Sequence, residues 1–114
     1  MFLDTITDTW RKFAQQHAFC INNKFYTYAD YMQKVASVGQ LLSNIDLSSS
    51  YIGVETFDDI ETYATIYALW FSGLTFVPLN PRFPVERNKQ IIYDTNITCI
   101  LYSQNGTLKD VDLS

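Results

Sequence analysis

Three basic side chains lie within one eight-residue stretch and form the largest group of closely spaced bases in this sequence. They are Arg82, Arg87 and Lys89, from a total of eight lysines and arginines in 114 residues. Guanidinium and ammonium groups form charge-assisted hydrogen bonds with phosphate, so this stretch could contact a phosphorylated ligand. The alternative is that all three are solvated charges on the surface of a helix, which is the usual place of such residues.

A second group consists of acids and raises the question of a metal site. Its members are Glu55, Asp58, Asp59 and Glu61. Carboxylates are ligands for hard divalent cations, but Asp59 and Glu61 take neighbouring rather than facing positions in the first turn of a predicted helix. Negative charge there also compensates the helix dipole. We therefore interpret the group as charges on a solvated helix end and predict no metal site.

Thiol and imidazole groups offer no further chemistry in this sequence. Cys20 and Cys99 are far apart, without a CxxC pair, and both lie in apolar runs, so we expect two reduced, buried thiols. His17 is the only histidine and follows a helical pattern, where a cation suits the carbonyl end. We expect it on the surface, and no residue of the chain is predicted to be catalytic.

The elements that position these residues are organised around a helix-to-strand joint at Gly73. Before it, apolar residues recur every three or four positions from Asp58 onward, which predicts a helix. After it, residues 74–77 form an apolar run closed by Pro78, which we expect to end a strand or begin a turn. Glycine just beyond a helix accepts the left-handed conformation that such a joint needs.

The rest of the chain extends this unit on both sides. We predict an N-terminal helix over 4–16, a hairpin of 18–21 and 24–27 turning at Asn22-Asn23, and a helix from a capping box at Thr27 and Asp30 to about Asn44. A plain polar loop over 44–50 leads to a strand at 51–56. After the proline-rich turn we predict a helix over 84–95, a strand over 98–102, a turn at 104–106, and no clear pattern beyond it.

This order predicts an α/β fold in a single domain, residues 1–114. An N-terminal helix and a small hairpin precede a βαβαβ unit, whose right-handed crossovers make strands 51–56, 74–78 and 98–102 parallel in one sheet.

Two stretches resemble early motifs of the adenylate-forming enzymes, which include acyl-CoA synthetases, luciferases and the adenylation domains of nonribosomal peptide synthetases. One family motif reads approximately Leu-Lys-Ala-Gly-x-Ala-Tyr-Val-Pro-Leu-Asp. Here the aligned residues, 70–80, read Trp-Phe-Ser-Gly-Leu-Thr-Phe-Val-Pro-Leu-Asn, so Trp70 and Phe71 replace the usual Leu-Lys. Upstream, residues 25–31 read Phe-Tyr-Thr-Tyr-Ala-Asp-Tyr and resemble the family's Leu-Thr-Tyr-x-Glu-Leu.

The resemblance implies that the chain is the opening subdomain of such an enzyme's large domain. The whole enzyme would use ATP and Mg²⁺ to convert a carboxylic acid into an acyl-adenylate, and would then pass the acyl group to coenzyme A or a phosphopantetheine thiol. The phosphate loop, the adenine and ribose motifs and the C-terminal lysine of the family do not occur here, so we expect no activity from the chain alone. By analogy with coenzyme A ligases, Arg87 or Lys89 would contact the phosphates of coenzyme A.

Two alternatives remain open at this point. The chain could be a split subunit or partner-binding α/β module, or a flavodoxin-like domain whose nucleotide would sit at residues 56–59.

Expected partners are the remainder of an adenylation domain or a partner chain, and coenzyme A or a carrier protein in the full enzyme. Twelve acids against eight bases argue against nucleic acid and membrane surfaces. The sequence shows no secretion signal or spanning segment, so we expect a cytoplasmic protein. Exposed apolar faces would also allow the fragment to self-associate.

Overall fold

The computed structural model describes residues 2–45 and 49–113, and the centre of the polar loop predicted over 44–50 lies outside them. The elements follow in the order α1 (Phe2–Lys12), β1 (His17–Ile21), β2 (Lys24–Thr27), α2 (Tyr28–Ser43), β3 (Tyr51–Glu55), α3 (Ile60–Phe71), β4 (Thr75–Leu79), α4 (Val85–Thr95), β5 (Cys99–Gln104) and β6 (Thr107–Asp112). In this part of the chain, no helix is both long and apolar enough to cross a membrane.

The hairpin of β1 and β2 and the start of α2 form as predicted. Asn22 and Asn23 have φ angles of 52° and 64°, the left-handed values of a two-residue hairpin turn. The Thr27 hydroxyl accepts from the Asp30 N–H, and the Asp30 carboxylate accepts from the Thr27 N–H, so the capping box is complete.

Four strands form one sheet in the order β4-β3-β5-β6, with β3 parallel to both β4 and β5. The crossover from β3 to β4 runs one way along the sheet, and the crossover from β4 to β5 runs back past β3. Right-handed crossovers in opposite directions place α3 and α4 on opposite faces. The predicted α/β fold with a parallel βαβαβ unit is therefore confirmed.

Each face of the sheet has its own apolar core. We call the face under α1, α2 and α3 the three-helix face, and the other the α4 face. On the three-helix face the core includes Ile52, Val54, Leu69 and Leu101, which are almost completely buried. The core of the α4 face is Val77, Leu79 and Ile97, with Ile91 and Ile92 of α4 half-buried against it. Gly53 points to this second face, where an added Cβ would lie 2.5 Å from Ile97 Cδ1.

The first helix is shorter than the 4–16 predicted and ends at Lys12. The carbonyls of Ala14 and Gln16 accept from the N–H groups of Ala29 and Tyr28, at 2.9 and 3.0 Å. Ala14 and Gln16 thus bind the start of α2 through their backbone carbonyls, and the helix ends before them.

Pro78 does not end β4, which continues to Leu79, so that prediction was wrong. Thr75 N–H donates to Ser50 O and Leu79 O accepts from Thr56 N–H, so alternate residues of β4 bond to the neighbouring strand. Pro78 lies between these positions, at the open edge of the sheet, where the N–H that it lacks is not needed.

The helix-to-strand joint after α3 is confirmed, since Gly73 has a φ of 72°.

A final strand, β6, is an element that the sequence analysis did not predict. It pairs antiparallel with β5 through a turn at Asn105 and Gly106, both of which have positive φ.

Candidate functional site

The carboxyl ends of β3 and β4 meet at one edge of the sheet, where ligands of open α/β folds bind. Two connections leave this edge. One is the acidic stretch 56–59 before α3, and the other is the proline-rich turn 80–84 before α4. Both sets of charged residues singled out in the sequence therefore lie in or next to this edge.

Asp59 joins the start of α3 to the end of β5. One carboxylate oxygen, Oδ1, accepts from the Thr62 N–H at 2.9 Å, which makes Asp59 the N-cap of α3. The other, Oδ2, accepts a short hydrogen bond from the Ser103 hydroxyl. Ser103 is 44 residues away in sequence and lacks any local pattern that could have indicated this contact.

The neighbouring acids also have partners within the fold. The Tyr63 hydroxyl donates to Asp58 Oδ1 at 2.5 Å, and this hydrogen bond raises the pKa of the phenol. Lys34 Nζ lies 3.5 Å from Glu61 Oε1, whose side chain is only 13% exposed. The expected position of these acids at the positive end of a helix is confirmed, since Asp59 caps α3, and Asp58 is exposed. The expectation of a solvated face was wrong for Asp59 and Glu61, because both are partly buried and form contacts between elements.

The acidic edge does not fit a metal ion or a nucleotide phosphate. Among the described residues, no three His, Cys, Asp or Glu side chains are grouped so that they could hold a metal. In such folds a phosphate commonly binds the free N–H groups of a helix N-terminus. At α3 that position already holds the Asp59 carboxylate, with Asp58 beside it. This charge arrangement argues against the flavodoxin-like alternative.

The proline-rich turn is held by Asn80. Its side-chain Oδ1 accepts from the Arg82 N–H, and its carbonyl accepts from the Asn88 side-chain amide, both at 2.9 Å. An aspartate, which the family motif has here, could accept the first of these bonds equally well. Asn80 therefore keeps the turn-forming role of the residue it replaces.

The basic residues near this turn form contacts within their own segment. The Arg87 guanidinium lies 4.0 Å from the centre of the Phe83 ring, which is a cation–π distance. Lys89 Nζ lies 3.8 Å from Glu86 Oε1, and both side chains are mostly exposed. Arg82, Arg87 and Lys89 are all exposed to solvent. Their predicted contact with coenzyme A phosphates stays a prediction.

The two thiols differ from each other. Cys99 is buried, and its burial, with Asp110 and Asp112 nearby, raises its pKa. Cys20 is exposed, so its predicted burial was wrong, because alternate residues of β1 point away from the core.

His17 is exposed as expected, but it begins β1 and stacks on Phe25 at 4.5 Å rather than ending a helix.

Comparison with known proteins gives the family. The sequence profile of the AMP-binding enzyme family matches residues 6–113, and the chain belongs to this family. It is 23% identical over 98 residues to the dapdiamide synthesis protein DdaD of Enterobacter agglomerans, covering 86% of this chain and 17% of that protein. It is 24% identical over 111 residues to surfactin synthase subunit 1 of Bacillus subtilis, covering 93% of this chain and 3% of that protein.

Solved structures agree on the fold. The N-terminal subdomain of Klebsiella oxytoca NpsA, in complex with 3-hydroxyanthranilyl-AMSN, superimposes with a TM-score of 0.79 at 15% identity, over 90% of this chain and 27% of that one. A four-domain nonribosomal peptide synthetase bound to AMP and glycine gives a TM-score of 0.79 at 24% identity, over 89% of this chain and 8% of that one. The chain thus has the fold with which adenylation enzymes begin, and it spans a small part of their length.

Proposed function

We propose that this chain is the N-terminal part of an ATP-dependent ligase that activates a carboxylic acid as its acyl-adenylate. The observation that carries the proposal is the family match over residues 6–113 on a fold that superimposes on an adenylation subdomain. A nonribosomal peptide synthetase and an artificially fused adenylation–PCP di-domain are among the structures that this chain resembles, so transfer of the acyl group to a phosphopantetheine thiol is the acceptor step we favour over transfer to coenzyme A.

In this proposal the chain supplies structure rather than reacting groups. Its acidic carboxyl edge holds α3 against β5, and the Asn80 turn directs α4 to the opposite face. ATP and Mg²⁺ would be held by residues outside the chain, since the acidic edge repels phosphate. Because ATP is the co-substrate, we place the enzyme in the cytoplasm.

An alternative that the sequence analysis left open is that the chain is a split subunit, which combines with a separate chain that carries the missing motifs. The supporting observation is the small share of each relative that the chain spans. Both versions require a second body of protein for activity.

The direct test is ATP–pyrophosphate exchange with a panel of amino, aryl and fatty acids. It would be run on the 114-residue chain and on the complete polypeptide isolated from the native source, whose intact mass is measured first. We expect no exchange from the chain alone and acid-dependent exchange from the larger species. Exchange by the chain alone would contradict the structural role, and no exchange by any species with any acid would contradict the ligase.

The coenzyme A contact can be tested separately in the complete enzyme. Reversing Arg87 and Lys89 to glutamate should raise the KM for coenzyme A if the thiol is coenzyme A, because two charges that attract its phosphates would then repel them. Arg11→Glu is the matched control, because Arg11 lies in α1, distant in sequence from Arg87 and Lys89 of α4. An unchanged KM would remove these residues from the thiol site.

A further inference from the structure

The α4 face of the sheet is covered over β4 and open over β6. One row of directly paired residues, whose side chains share a face, crosses the sheet from Val77 through Gly53 and Ile100 to Val111. Val77 is 7% exposed, Ile100 is half-buried, and Val111 is 40% exposed. Of the four helices in the described ranges, only α4 lies on this face, and it packs in one cluster with Val77 and Leu79 of β4. Exposure therefore rises along the row with distance from α4.

Two more large apolar side chains of the same face are exposed. The N–H of Leu113 donates to Thr98 O at 2.8 Å, so the chain continues the ladder past the end of β6. Because side chains alternate between the faces of a sheet, Leu113 shares a face with Val111, and Tyr51 shares a face with Gly53. Leu113 is 41% exposed and Tyr51 is 46% exposed. We call the surface formed by Tyr51, Ile100, Val111 and Leu113 the open half of the α4 face.

The pattern of β6 indicates which of its two faces is suited to burial. Asp110 lies opposite Leu101, so at this end of the strand Asp110 and Asp112 are on the three-helix face. The apolar residues that alternate with them, Val111 and Leu113, are on the α4 face. A strand with one buried face carries apolar residues on that face and polar residues on the solvated one, and sheets with parallel strands are normally covered by helices on both faces. The open half therefore has the composition of a buried surface.

We propose that the segment following β6 in the complete polypeptide packs on the open half as an amphipathic helix beside α4. This inference rests on the proposed function, in which the chain is the N-terminal part of a longer enzyme. Most of the solved N-terminal subdomain of NpsA lies outside the part that superimposes on this chain, so further protein accompanies the same fold in that subdomain.

The position of Leu113 and the spacing of the sheet give this segment its place. Leu113 belongs to the open half, and the chain reaches it along the outer strand of the sheet, so the residues that follow begin beside the surface that they cover. Packed helices lie about 10 Å apart and neighbouring strands about 5 Å apart, so a helix beside α4 is displaced by two strands. Since α4 packs on β4, the second helix lies over β5 and its neighbour β6, where Ile100 and Val111 are only partly covered.

The test measures the rate at which a maleimide labels Val111→Cys in the complete polypeptide, with Leu113→Cys as a second variant of the same face. Asp110→Cys is the matched control, because Asp110 is exposed on the opposite face of the same strand. We expect both variants of the open half to react at least about tenfold more slowly than the control, since a covered thiol reacts only when its cover opens. In the 114-residue chain, all three should react at similar rates. Circular dichroism checks the fold, and the exposed Cys20 gives a reference rate within each protein.

Equal labelling at Val111→Cys, Leu113→Cys and Asp110→Cys in the complete polypeptide would overturn the inference. Protection of the open half in the 114-residue chain that increases with its concentration would also overturn it, because a second copy would then be the cover. Labelling needs neither ATP nor a carboxylic acid. A polypeptide that performs pyrophosphate exchange with the open half unprotected would refute this inference alone, and one that protects it but exchanges with no acid would refute the ligase alone.

Discussion

The two faces of the sheet differ in how completely they are packed. On the three-helix face, side chains from β3, β5 and α3 are buried almost to zero exposure. On the α4 face, the buried residues are Val77 and Leu79 of β4 and Ile97, which lies just before β5. The helix α4 itself contributes no buried residue. Val85 and Tyr93 of α4 are the most exposed large apolar residues among those described, at 67% and 78%.

The difference follows from the sequences of the two helices. α3 reads Ile-Glu-Thr-Tyr-Ala-Thr-Ile-Tyr-Ala-Leu-Trp-Phe, with few polar residues on any side, and it packs against both α2 and the sheet. α4 carries charged or amide side chains at five consecutive positions, 86–90, and is apolar mainly at Ile91 and Ile92. Burial of apolar area is the main favourable term in folding, so we expect the three-helix face to supply most of the stability.

The strongest test compares two neighbouring residues of β5 that point to opposite faces. Leu101→Ala removes a fully buried side chain from the three-helix face and should lower the free energy of unfolding by about 3 kcal/mol. Ile100→Ala, at a half-buried position on the α4 face, should cost about half as much. Urea denaturation measures both. Equal losses would show that the two faces are packed alike.

The second prediction uses two glycines. Gly53→Ala pushes a methyl group into Ile97 and Leu79, at 2.5 and 3.0 Å, and should cost about 1–3 kcal/mol through overpacking. Gly39→Ala, in open space on α2, should stabilise by up to about 1 kcal/mol because alanine favours the helix. If α4 moves aside easily, the first loss will be small, which would show that the α4 face is loosely held.

The features predictable from sequence were those with local causes. The turn at Asn22 and Asn23, the capping box at Thr27 and the joint at Gly73 all depend on residues within a few positions of one another. The parallel order of the strands followed from helix and strand periodicity together with the handedness of crossovers.

The features missed depend on distant partners or on position in the sheet. Pro78 is tolerated because β4 is an edge strand, and the residues of β4 alone do not indicate that it lies at the edge. The hairpin of β6 had a local signal in Asn105-Gly106, but three charges in its six residues hid the strand. The contact between Asp59 and Ser103, which makes the acidic edge structural, joins residues that only the folded sheet brings together.

The third prediction concerns Asp59, whose side chain caps the N-terminus of α3 on the three-helix face. The N-terminus of α4 has no such side-chain cap. Asp59→Ala removes the N-cap of α3 and the acceptor of Ser103, and should cost about 1–2 kcal/mol. Glu86→Ala, in the first turn of α4, should change stability by less than about 0.5 kcal/mol, because α4 has no side-chain cap and Glu86 is exposed. A cost at Asp59 no larger than that at Glu86 would leave its hydrogen bonds without a stabilising role.

The smallest effect expected is the pH dependence of the capping box that starts α2. The Thr27 N–H and hydroxyl bind the Asp30 carboxylate and hold its pKa below the usual value, with Lys24 adding to the effect. The folded-state pKa is therefore lower than that of the unfolded chain. The resulting stabilisation is fully present above the unfolded pKa and disappears as pH falls through the folded one.

Asp30→Asn should consequently be less stable than the parent chain at neutral pH and approach it in acid. Urea denaturation of both chains at a series of pH values measures the difference, and Glu86→Gln, on the α4 face, is the control. Asp30 is exposed, so solvent screens the effect and the difference should be modest. A difference that stays constant down to strongly acidic pH would mean that the charge of Asp30 does not contribute, and that its hydrogen bond to Thr27 acts through geometry alone.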